Sequence, residues 1–212
     1  MSAPVAVKIC GVTRPRDAER AVELGAAYLG LNFWPGSPRR VEIGQAAEIA
    51  DAARGRATLV GVFVDQPHLV AELRSEVGLD LVQLHGDEPP AAVAAHGDRA
   101  IKVFRVADAF DHAELSRYSR CWGYLFDCRR PGLYGGTGES WPYELASGLP
   151  TDKPVLVAGG ITPATVGDVL SRCRPHAIDV CSGVESAPGV KDDALMTSLF
   201  EEIDHGQITE LA

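Results

Sequence analysis

Eight short runs of apolar, largely β-branched residues recur along the chain at fairly regular intervals. They are VAVKIC (5–10), AYLGLN (27–32), ATLVGVFV (57–64), DLVQL (80–84), AIKVFRV (100–106), GYLFD (123–127), PVLVAG (154–159) and AIDVC (177–181). Most are apolar at nearly every position, which is typical of strands covered on both faces. The pattern therefore predicts eight buried strands.

Segments with helical spacing separate these runs. The spacing predicts helices over 14–25, 44–54, 67–77, 89–96, 109–118, 162–173 and 192–204, and a sixth connection, 128–150, that is mostly loop with a short helix at 141–147. We expect Thr13 and Thr162 to cap their helices, with Pro163 at the first helical position of the second. Gly25 is expected to end the first helix.

The alternation of strand and helix indicates right-handed parallel units. Eight such units favour closure into a (β/α)8 (TIM) barrel over an open doubly wound sheet, and 212 residues suffice for one barrel. The fold class expected is therefore α/β, with a single barrel domain that spans residues 1–212.

Composition narrows the classes of function. The chain is 46% hydrophobic and 23% charged, as in ordinary globular proteins, and its net charge of −9 without a long Lys/Arg run argues against a nucleic-acid partner. No apolar stretch approaches the roughly 20 residues of a membrane span, and the first residues lack the pattern of a secretion signal. Five cysteines without CxxC or zinc spacing argue against a disulfide framework and for a reducing cytoplasm.

In such barrels the working residues lie where strands end. The predicted strand ends carry a thiol, an imidazole and several carboxylates, namely Cys10, Asp65, His85, Asp127 and Asp179. By residue type alone Cys10 could be a small core side chain, a nucleophile, a metal ligand or a proton carrier. A barrel built only for packing needs no such set of groups at one rim.

Two glycine-rich stretches follow the seventh and eighth strands, where barrels often bind phosphate through backbone N–H groups. VAGGIT (157–162) and CSGVESAPG (181–189) contain the candidate phosphate contacts Gly159, Gly160, Ser182 and Gly183. A third stretch, YGGTGES (134–140), is either a solvated loop or a lid whose Gly136 and Thr137 also reach the phosphate.

The stretch FWPGSPRRV (33–41) follows the second strand. We expect an exposed aromatic surface at Phe33 and Trp34 beside Arg39 and Arg40. Arginine binds carboxylate or phosphate in a bidentate fork, so this loop is a candidate anion site, although surface arginines are more often solvated.

Seven segments occur together in a specific order. They are KICGVT (8–13), FWPGSPR (33–39), GVFVD (61–65), VQLHGDE (82–88), LFD (125–127) followed by YGGTG, VAGGI (157–161) and DVCSGVESAPGVKD (179–192). Together they closely resemble phosphoribosylanthranilate isomerase, an enzyme of tryptophan biosynthesis, over about residues 5–203. The resemblance implies a (β/α)8 barrel that needs no cofactor and no metal and carries out an Amadori rearrangement of N-(5-phosphoribosyl)anthranilate.

The resemblance also implies residue roles. Cys10 matches the general base and Asp127 the general acid, while Arg39 matches the residue that holds the anthranilate carboxylate. Asp127 must be protonated to act, through burial or a neighbouring carboxylate such as Asp179. Alternatively Lys8 pairs with Asp179, because the first and last strands adjoin in a closed barrel. Lys8, His85 and Asp179 are therefore expected to support the site.

Several positions depart from the family pattern. They are Asp65 (often Asn), Cys128 (more often Thr, Ala or Ser), Cys181 (commonly Ser) and Trp141-Pro142-Tyr143 (often Phe-Asp-Trp). Alternatives to the isomerase are another phosphosugar barrel, such as an epimerase or the next synthase of the pathway, and a non-catalytic phosphate-binding barrel. A monomer and a homodimer are both compatible with the sequence, as is a second sugar-phosphate isomerisation.

Overall fold

Eight parallel strands form a closed barrel. The computed structural model describes residues 4–128 and 140–209. The strands are β1 (Ala6–Cys10), β2 (Tyr28–Asn32), β3 (Thr58–Phe63), β4 (Leu81–Leu84), β5 (Ala100–Val106), β6 (Gly123–Cys128), β7 (Val155–Val157) and β8 (Ala177–Val180). Each strand pairs with its neighbours in sequence, and β8 pairs with β1 to close the ring. The predicted barrel and all eight predicted strands are confirmed.

Helices surround the barrel at the predicted places. They are α1 (Pro15–Glu23), α2 (Ile43–Ala53), α3 (Pro67–Val77), α4 (Pro90–Ala94), α5 (Ala113–Arg117), α6 (Val166–Arg172) and α7 (Asp193–Thr209), with 3-10 turns at Gly97–Arg99, Tyr143–Ala146 and Ser182–Val184. The sequence did not predict an antiparallel hairpin, β9 (Glu185–Ala187) and β10 (Val190–Lys191), between β8 and α7. Across the described ranges, no helix has both the length and the apolar character needed to cross a membrane.

Alternate strand residues pack in two separate apolar layers. Side chains such as Val60, Ile101, Leu125 and Leu156 fill the barrel interior. The residues between them face outward and pack against the helices in a larger layer. Because the period of a strand is two, this alternation also decides which polar side chains at the strand ends point into the barrel.

Two predicted helix caps are wrong, and one predicted helix end is right. Arg14 occupies the N-cap of α1, while the Thr13 hydroxyl donates to the Gly189 carbonyl of the hairpin at 2.5 Å. Thr162 precedes a turn, and α6 begins only after Thr165. Gly25 follows Leu24, the C-cap residue of α1, and has a φ of +102°, as expected for a glycine stop.

Candidate active site

The polar side chains at the strand ends share the inward face of the barrel. Val7 and Ile9 of β1 pack outward, so Lys8 and Cys10 point inward. The same alternation brings Asp127 of β6 and Asp179 of β8 into the interior. Cys10, His85, Asp127 and Asp179 therefore converge on one mouth of the barrel. Asp65, also predicted at a strand end, is exposed, and its Oδ1 accepts from the N–H of Asp87.

Lys8 and Asp179 form a buried ion pair across the closure of the ring. The two residues are register partners of β1 and β8, and Lys8 Nζ lies 2.8 Å from Asp179 Oδ1. Burial alone lowers the pKa of Lys8, but Asp179 and Cys10 outweigh it and raise that pKa above its ordinary value. The structure thus confirms the predicted Lys8–Asp179 pair, which holds a fixed positive charge below the Cys10 thiol.

The Cys10 thiol is buried, and its neighbour across the β1–β8 seam is a second thiol, that of Cys181. The nearby Cys181, together with burial and the charge of Asp179, raises the pKa of Cys10 well above its ordinary value. The Cys181 sulfur lies 4.0 Å from Glu185 Oε1. The nearby Cys10, with Lys191 and Arg39 and against the effect of burial, lowers the pKa of Cys181.

A glycine in β2 leaves room for this arrangement. Gly30 is the register partner of Cys10. A Cβ atom at Gly30 would lie 2.7 Å from the Cys10 sulfur and 3.2 Å from Lys8 Nζ. The thiol and the ammonium thus occupy space that a side chain from β2 would otherwise fill.

Glu185 of the hairpin binds the Arg39 guanidinium and holds it at the site. Its Nε lies 3.0 and 3.1 Å from the two carboxylate oxygens of Glu185, and its Nη2 lies 2.7 Å from Oε2. Burial lowers the pKa of Arg39, but the bonds to Glu185 outweigh it and raise that pKa. Gly11, with a φ of +68°, lets the arginine pass, because a Cβ there would lie 2.6 Å from Arg39 Cδ.

Lys191 links the hairpin to both cysteines. Its ammonium donates to the carbonyl of Cys10 at 2.5 Å, to that of Cys181 at 3.1 Å and to Glu185 Oε1 at 2.8 Å. We call the following set of residues, which joins the first and last strands, the seam cluster: Lys8, Cys10, Arg39, Asp179, Cys181, Glu185 and Lys191.

The aromatic loop after β2 differs from its prediction. Phe33 is 5% exposed and stacks on Phe63 with ring centroids 5.4 Å apart, so the expectation of an exposed Phe33 is wrong. Trp34 is half-buried. Arg40 is exposed and pairs with Glu42 at 2.9 Å, which agrees with the expectation that it is solvated.

Asp127 lies on the other side of the mouth, with fewer charged neighbours. It is 5% exposed; its Oδ1 accepts from the backbone N–H of Cys128 at 2.8 Å, and its Oδ2 lies 3.3 Å from His85 Nε2. The other imidazole nitrogen, Nδ1, lies 3.1 Å from Gln83 Nε2. We call Gln83, His85 and Asp127 the acid side.

Two polar atoms of the acid side have hydrogen-bonding capacity left. His85 Nε2 faces Asp127 at angles that do not make a hydrogen bond. Counting partners within the described ranges, this nitrogen and Gln83 Oε1 are buried without one. Buried polar atoms in this state are exceptional in folded proteins and are typical of places completed by water or by a substrate.

The glycine loops after β7 and β8 lie between the seam cluster and the acid side. Gly159 and Gly160 have φ values of +86° and +66°, and a Cβ at Gly159 would lie 3.0 Å from Asp127 Oδ1. A Cβ at Gly183 would lie 1.9 Å from the carbonyl oxygen of Ile161, so the two loops pack backbone against backbone. Ser182 begins the 3-10 turn that carries Gly183 and is half-buried. Gly136 and Thr137 lie outside the described residues.

Trp141 and Tyr143, which depart from the family pattern, hold the loop that follows β7 through hydrogen bonds. Trp141 Nε1 donates to the carbonyl of Ala158 at 2.8 Å, and the Tyr143 hydroxyl donates to that of Gly159 at 2.5 Å. Burial raises the pKa of Tyr143 to about 12, so the hydroxyl stays a donor at neutral pH. Sequence reasoning noted this departure from the pattern but assigned it no role.

Several residues of the site escaped the sequence analysis. Gln83, Glu185 and Lys191 had no predicted role, and Cys181 was noted only as a substitution. All four lie within the quoted motifs, yet nothing local in the sequence indicates that Glu185 binds an arginine 146 positions away. In the two stretches that the structure describes, no group of three or more His, Cys, Asp or Glu side chains is arranged to hold a metal ion.

Comparison with known proteins gives one consistent result. Residues 7–202 match the family model for N-(5'-phosphoribosyl)anthranilate isomerase. A protein of that name from Chromohalobacter salexigens is 43% identical over 205 residues, which are 95% of each chain. The solved phosphoribosyl anthranilate isomerase of Thermus thermophilus superposes with a TM-score of 0.86 at 40% identity, covering 95% of this chain and 99% of the other.

A further similar structure contains a ligand. It is a phosphoribosyl anthranilate isomerase in complex with reduced 1-(o-carboxyphenylamino)-1-deoxyribulose 5-phosphate. Its TM-score is 0.80 at 30% identity, and the match covers 95% of this chain and 99% of the other.

Proposed function

The chain belongs to the N-(5'-phosphoribosyl)anthranilate isomerase family, and we propose that Cys10 and Asp127 are the base and the acid of its reaction. The enzyme converts N-(5-phosphoribosyl)anthranilate to 1-(2-carboxyphenylamino)-1-deoxyribulose 5-phosphate in tryptophan biosynthesis. This Amadori rearrangement opens the ribose ring to a Schiff base and then moves hydrogen between neighbouring carbons. It therefore needs one group that gives a proton and one that removes a proton.

Asp127 is the proposed donor to the furanose ring oxygen. It is buried at the end of β6, on the inward face of the barrel, and its Oδ2 lies 3.3 Å from His85 Nε2. Cys10 is the proposed acceptor of the C2 proton, which gives an enolamine that tautomerises to the ketone. Its thiol points into the same mouth from β1, beside the fixed charge of Lys8.

The two anionic ends of the substrate need separate partners. We assign the phosphate to backbone groups of the glycine loops at Gly159, Gly160, Ser182 and Gly183, together with Gly136 and Thr137. Arg39 is assigned the anthranilate carboxylate. Its Nε and Nη2 bind Glu185, so the carboxylate would meet the guanidinium at Nη1. The fork to Glu185 fixes the orientation of that edge.

One observation carries the proposal. Cys10 and Asp127 are buried on the inward faces of β1 and β6, and the two glycine loops of β7 and β8 lie between them in the ring. A non-catalytic phosphate-binding barrel would explain the loops but not this acid and base on either side of them.

Turnover of the purified enzyme, followed through anthranilate fluorescence, tests the assignment. Cys10→Ala and Asp127→Asn should each lower kcat by about 10²–10⁴-fold, the usual contribution of a general base or acid. Binding of inorganic phosphate should persist in both, with Cys121→Ala as a matched control away from the mouth. If Cys10→Ala kept more than about a tenth of the wild-type kcat, the base would have to be another group.

Three broader expectations remain predictions. They are a single domain over residues 1–212, a monomeric or homodimeric state, and a cytoplasmic location. The last is supported by five cysteines that are all free, Cys10, Cys121, Cys128, Cys173 and Cys181, as in proteins of reducing compartments.

A further inference from the structure

Gln83 is buried in the mouth of the barrel, and the reaction described so far gives it no role. It is 1% exposed and lies on β4 between Val82 and Leu84, which both pack outward, so its amide points into the barrel. His85, two residues further along, lies on the same face. Burying an amide costs free energy that its hydrogen bonds must offset, so the contact that Gln83 makes is informative.

The amide of Gln83 faces one nitrogen of the His85 imidazole. Gln83 Nε2 lies 3.1 Å from His85 Nδ1, and an amide NH2 group only donates. Nδ1 therefore supplies the lone pair, and a neutral imidazole with its lone pair on Nδ1 carries its proton on Nε2. The nitrogen that lies 3.3 Å from Asp127 Oδ2 is then an N–H group.

We propose that Gln83 is a positioning residue that fixes His85 in the tautomer with Nε2 protonated, so that the imidazole presents a donor to Asp127 and cannot accept its proton. This inference rests on the proposed role of Asp127 as the acid. Gln83 acts through His85 and does not itself touch the reacting atoms.

The opposite tautomer would compete with the substrate. If the amide were turned so that Gln83 Oε1 accepted from an Nδ1–H group, the lone pair of Nε2 would face Asp127. A protonated Asp127 would then donate to His85, 3.3 Å away, and not to the furanose ring oxygen. An ionised Asp127 would meet the lone pair with its own negative oxygen. An N–H group at Nε2 avoids both, because either form of the carboxyl group still offers it an oxygen lone pair.

The other oxygen of Asp127 also meets a donor. Its Oδ1 accepts from the backbone N–H of Cys128 at 2.8 Å. With Nε2 of His85 protonated, neither of these two neighbours can take a proton from the acid. The proton of Asp127 is therefore left for a group that enters the mouth, which is what the ring-opening step requires.

The tautomer can be determined by NMR without measuring activity. In enzyme that contains isotope-labelled histidine, protonated and unprotonated ring nitrogens have well-separated chemical shifts. The spectrum of His85→Asn identifies the signals of His85 among the six histidines. We expect Nε2 to be protonated and Nδ1 unprotonated in the wild type. Gln83→Glu offers Nδ1 an acceptor in place of the donor, so Nδ1 should become protonated in that variant.

Turnover supplies the second readout. With Nδ1 protonated, Nε2 of His85 can accept the proton of Asp127, and breaking that competing hydrogen bond adds to the barrier. Gln83→Glu should therefore lower kcat by about tenfold and change KM by less than about twofold. In the His85→Asn background the same change should lower kcat by less than about twofold, because the residue through which Gln83 acts is gone. Gln45→Glu, which adds the same charge at an exposed glutamine of α2, should change neither kcat nor KM.

Two results would overturn the inference, and both differ from a failure of the proposed acid. One is a wild-type His85 with Nδ1 protonated. The other is an equal loss of kcat from Gln83→Glu with and without His85, which would leave Gln83 a packing role alone. Substantial turnover by Asp127→Asn would remove the acid itself, and this inference with it, whatever tautomer the spectrum shows. An inactive Asp127→Asn, a protonated Nε2 and a loss that depends on His85 together support both.

Discussion

The two sides of the mouth differ in the charged groups that surround the proposed base and the proposed acid. The seam cluster surrounds the proposed base with two ammonium groups, a guanidinium and two carboxylates, whereas the acid side gives Asp127 an imidazole and a backbone N–H. A base must carry negative charge in a buried place, which requires fixed charges nearby. The acid side instead places few charged groups around Asp127. The comparison predicts that, apart from the proposed base and acid themselves, charge substitutions matter more at the seam cluster than at the acid side.

The largest effect is expected from Lys8→Met. This change leaves Asp179 buried without its partner, and breaking a buried ion pair costs about 3–5 kcal/mol. Urea denaturation should show a correspondingly lower free energy of unfolding. The double variant Lys8→Met with Asp179→Leu should recover part of that loss, because no unpaired charge remains. If Lys8→Met alone were as stable as the wild type, the ion pair would not be needed for stability. The proposed difference between the seam cluster and the acid side would then be wrong.

Arg39→Ala should produce the next largest effect, in catalysis. Charge-assisted hydrogen bonds contribute about 1.5–3 kcal/mol, so kcat/KM should fall roughly 10- to 150-fold. Inhibition by inorganic phosphate should be nearly unchanged, since the glycine loops are intact. Arg39→Lys is the matched variant, which keeps the charge and loses the fork. Equal losses of substrate and phosphate binding would show that Arg39 serves the whole site and not the carboxylate alone.

At the acid side, His85→Asn should have a smaller effect. Asparagine keeps a polar group near Gln83 but lacks the atom that reaches Asp127. Because this contact is not a hydrogen bond in the structure, its loss should cost no more than the roughly 1.5 kcal/mol of an ordinary one, a fall of at most about 12-fold in kcat. His112→Asn, at an exposed histidine, is the control. A fall of the size expected for Asp127→Asn would mean that the imidazole itself transfers the proton.

Arg40→Ala should have the smallest effect. Arg40 is exposed and paired with an exposed glutamate, and such pairs contribute about 0–1 kcal/mol. The unfolding free energy and kcat/KM should both stay close to wild type. If Arg40→Ala proved more damaging than Arg39→Ala, the roles of the two neighbouring arginines would have to be exchanged.

The sequence predicted those parts of the molecule that depend on local patterns. Eight apolar runs predicted eight strands because a buried parallel strand is apolar on both faces. The parity of Lys8 and Cys10, combined with ring closure, predicted the ion pair with Asp179. These inferences needed only the period of a strand and the order of the elements.

The expectations that were wrong or missing concern contacts between segments that are distant in the sequence. The Thr13 hydroxyl bonds to Gly189, 176 positions away, instead of capping α1. Phe33 was expected to be exposed, but Phe63 of the neighbouring strand lies in the outward-facing apolar layer and gives it a stacking partner. Glu185 and Lys191 belong to a hairpin so short that its residues carry no strand pattern. No local rule could have assigned these partners.

Closure of the ring also sets the order in which the site can be assembled during folding. Cys10 and Lys8 are made early in synthesis, yet the groups that hold them come from the last part of the chain, 171 positions away for Asp179 and 181 for the Lys191 bond to the Cys10 carbonyl. Contacts of such sequence separation form late, after most of the loop-closure entropy has been lost. A nascent chain that lacks β8 therefore has the Cys10 thiol but not yet Asp179 and Lys191. The enzyme can become active only after this last part of the chain has been added.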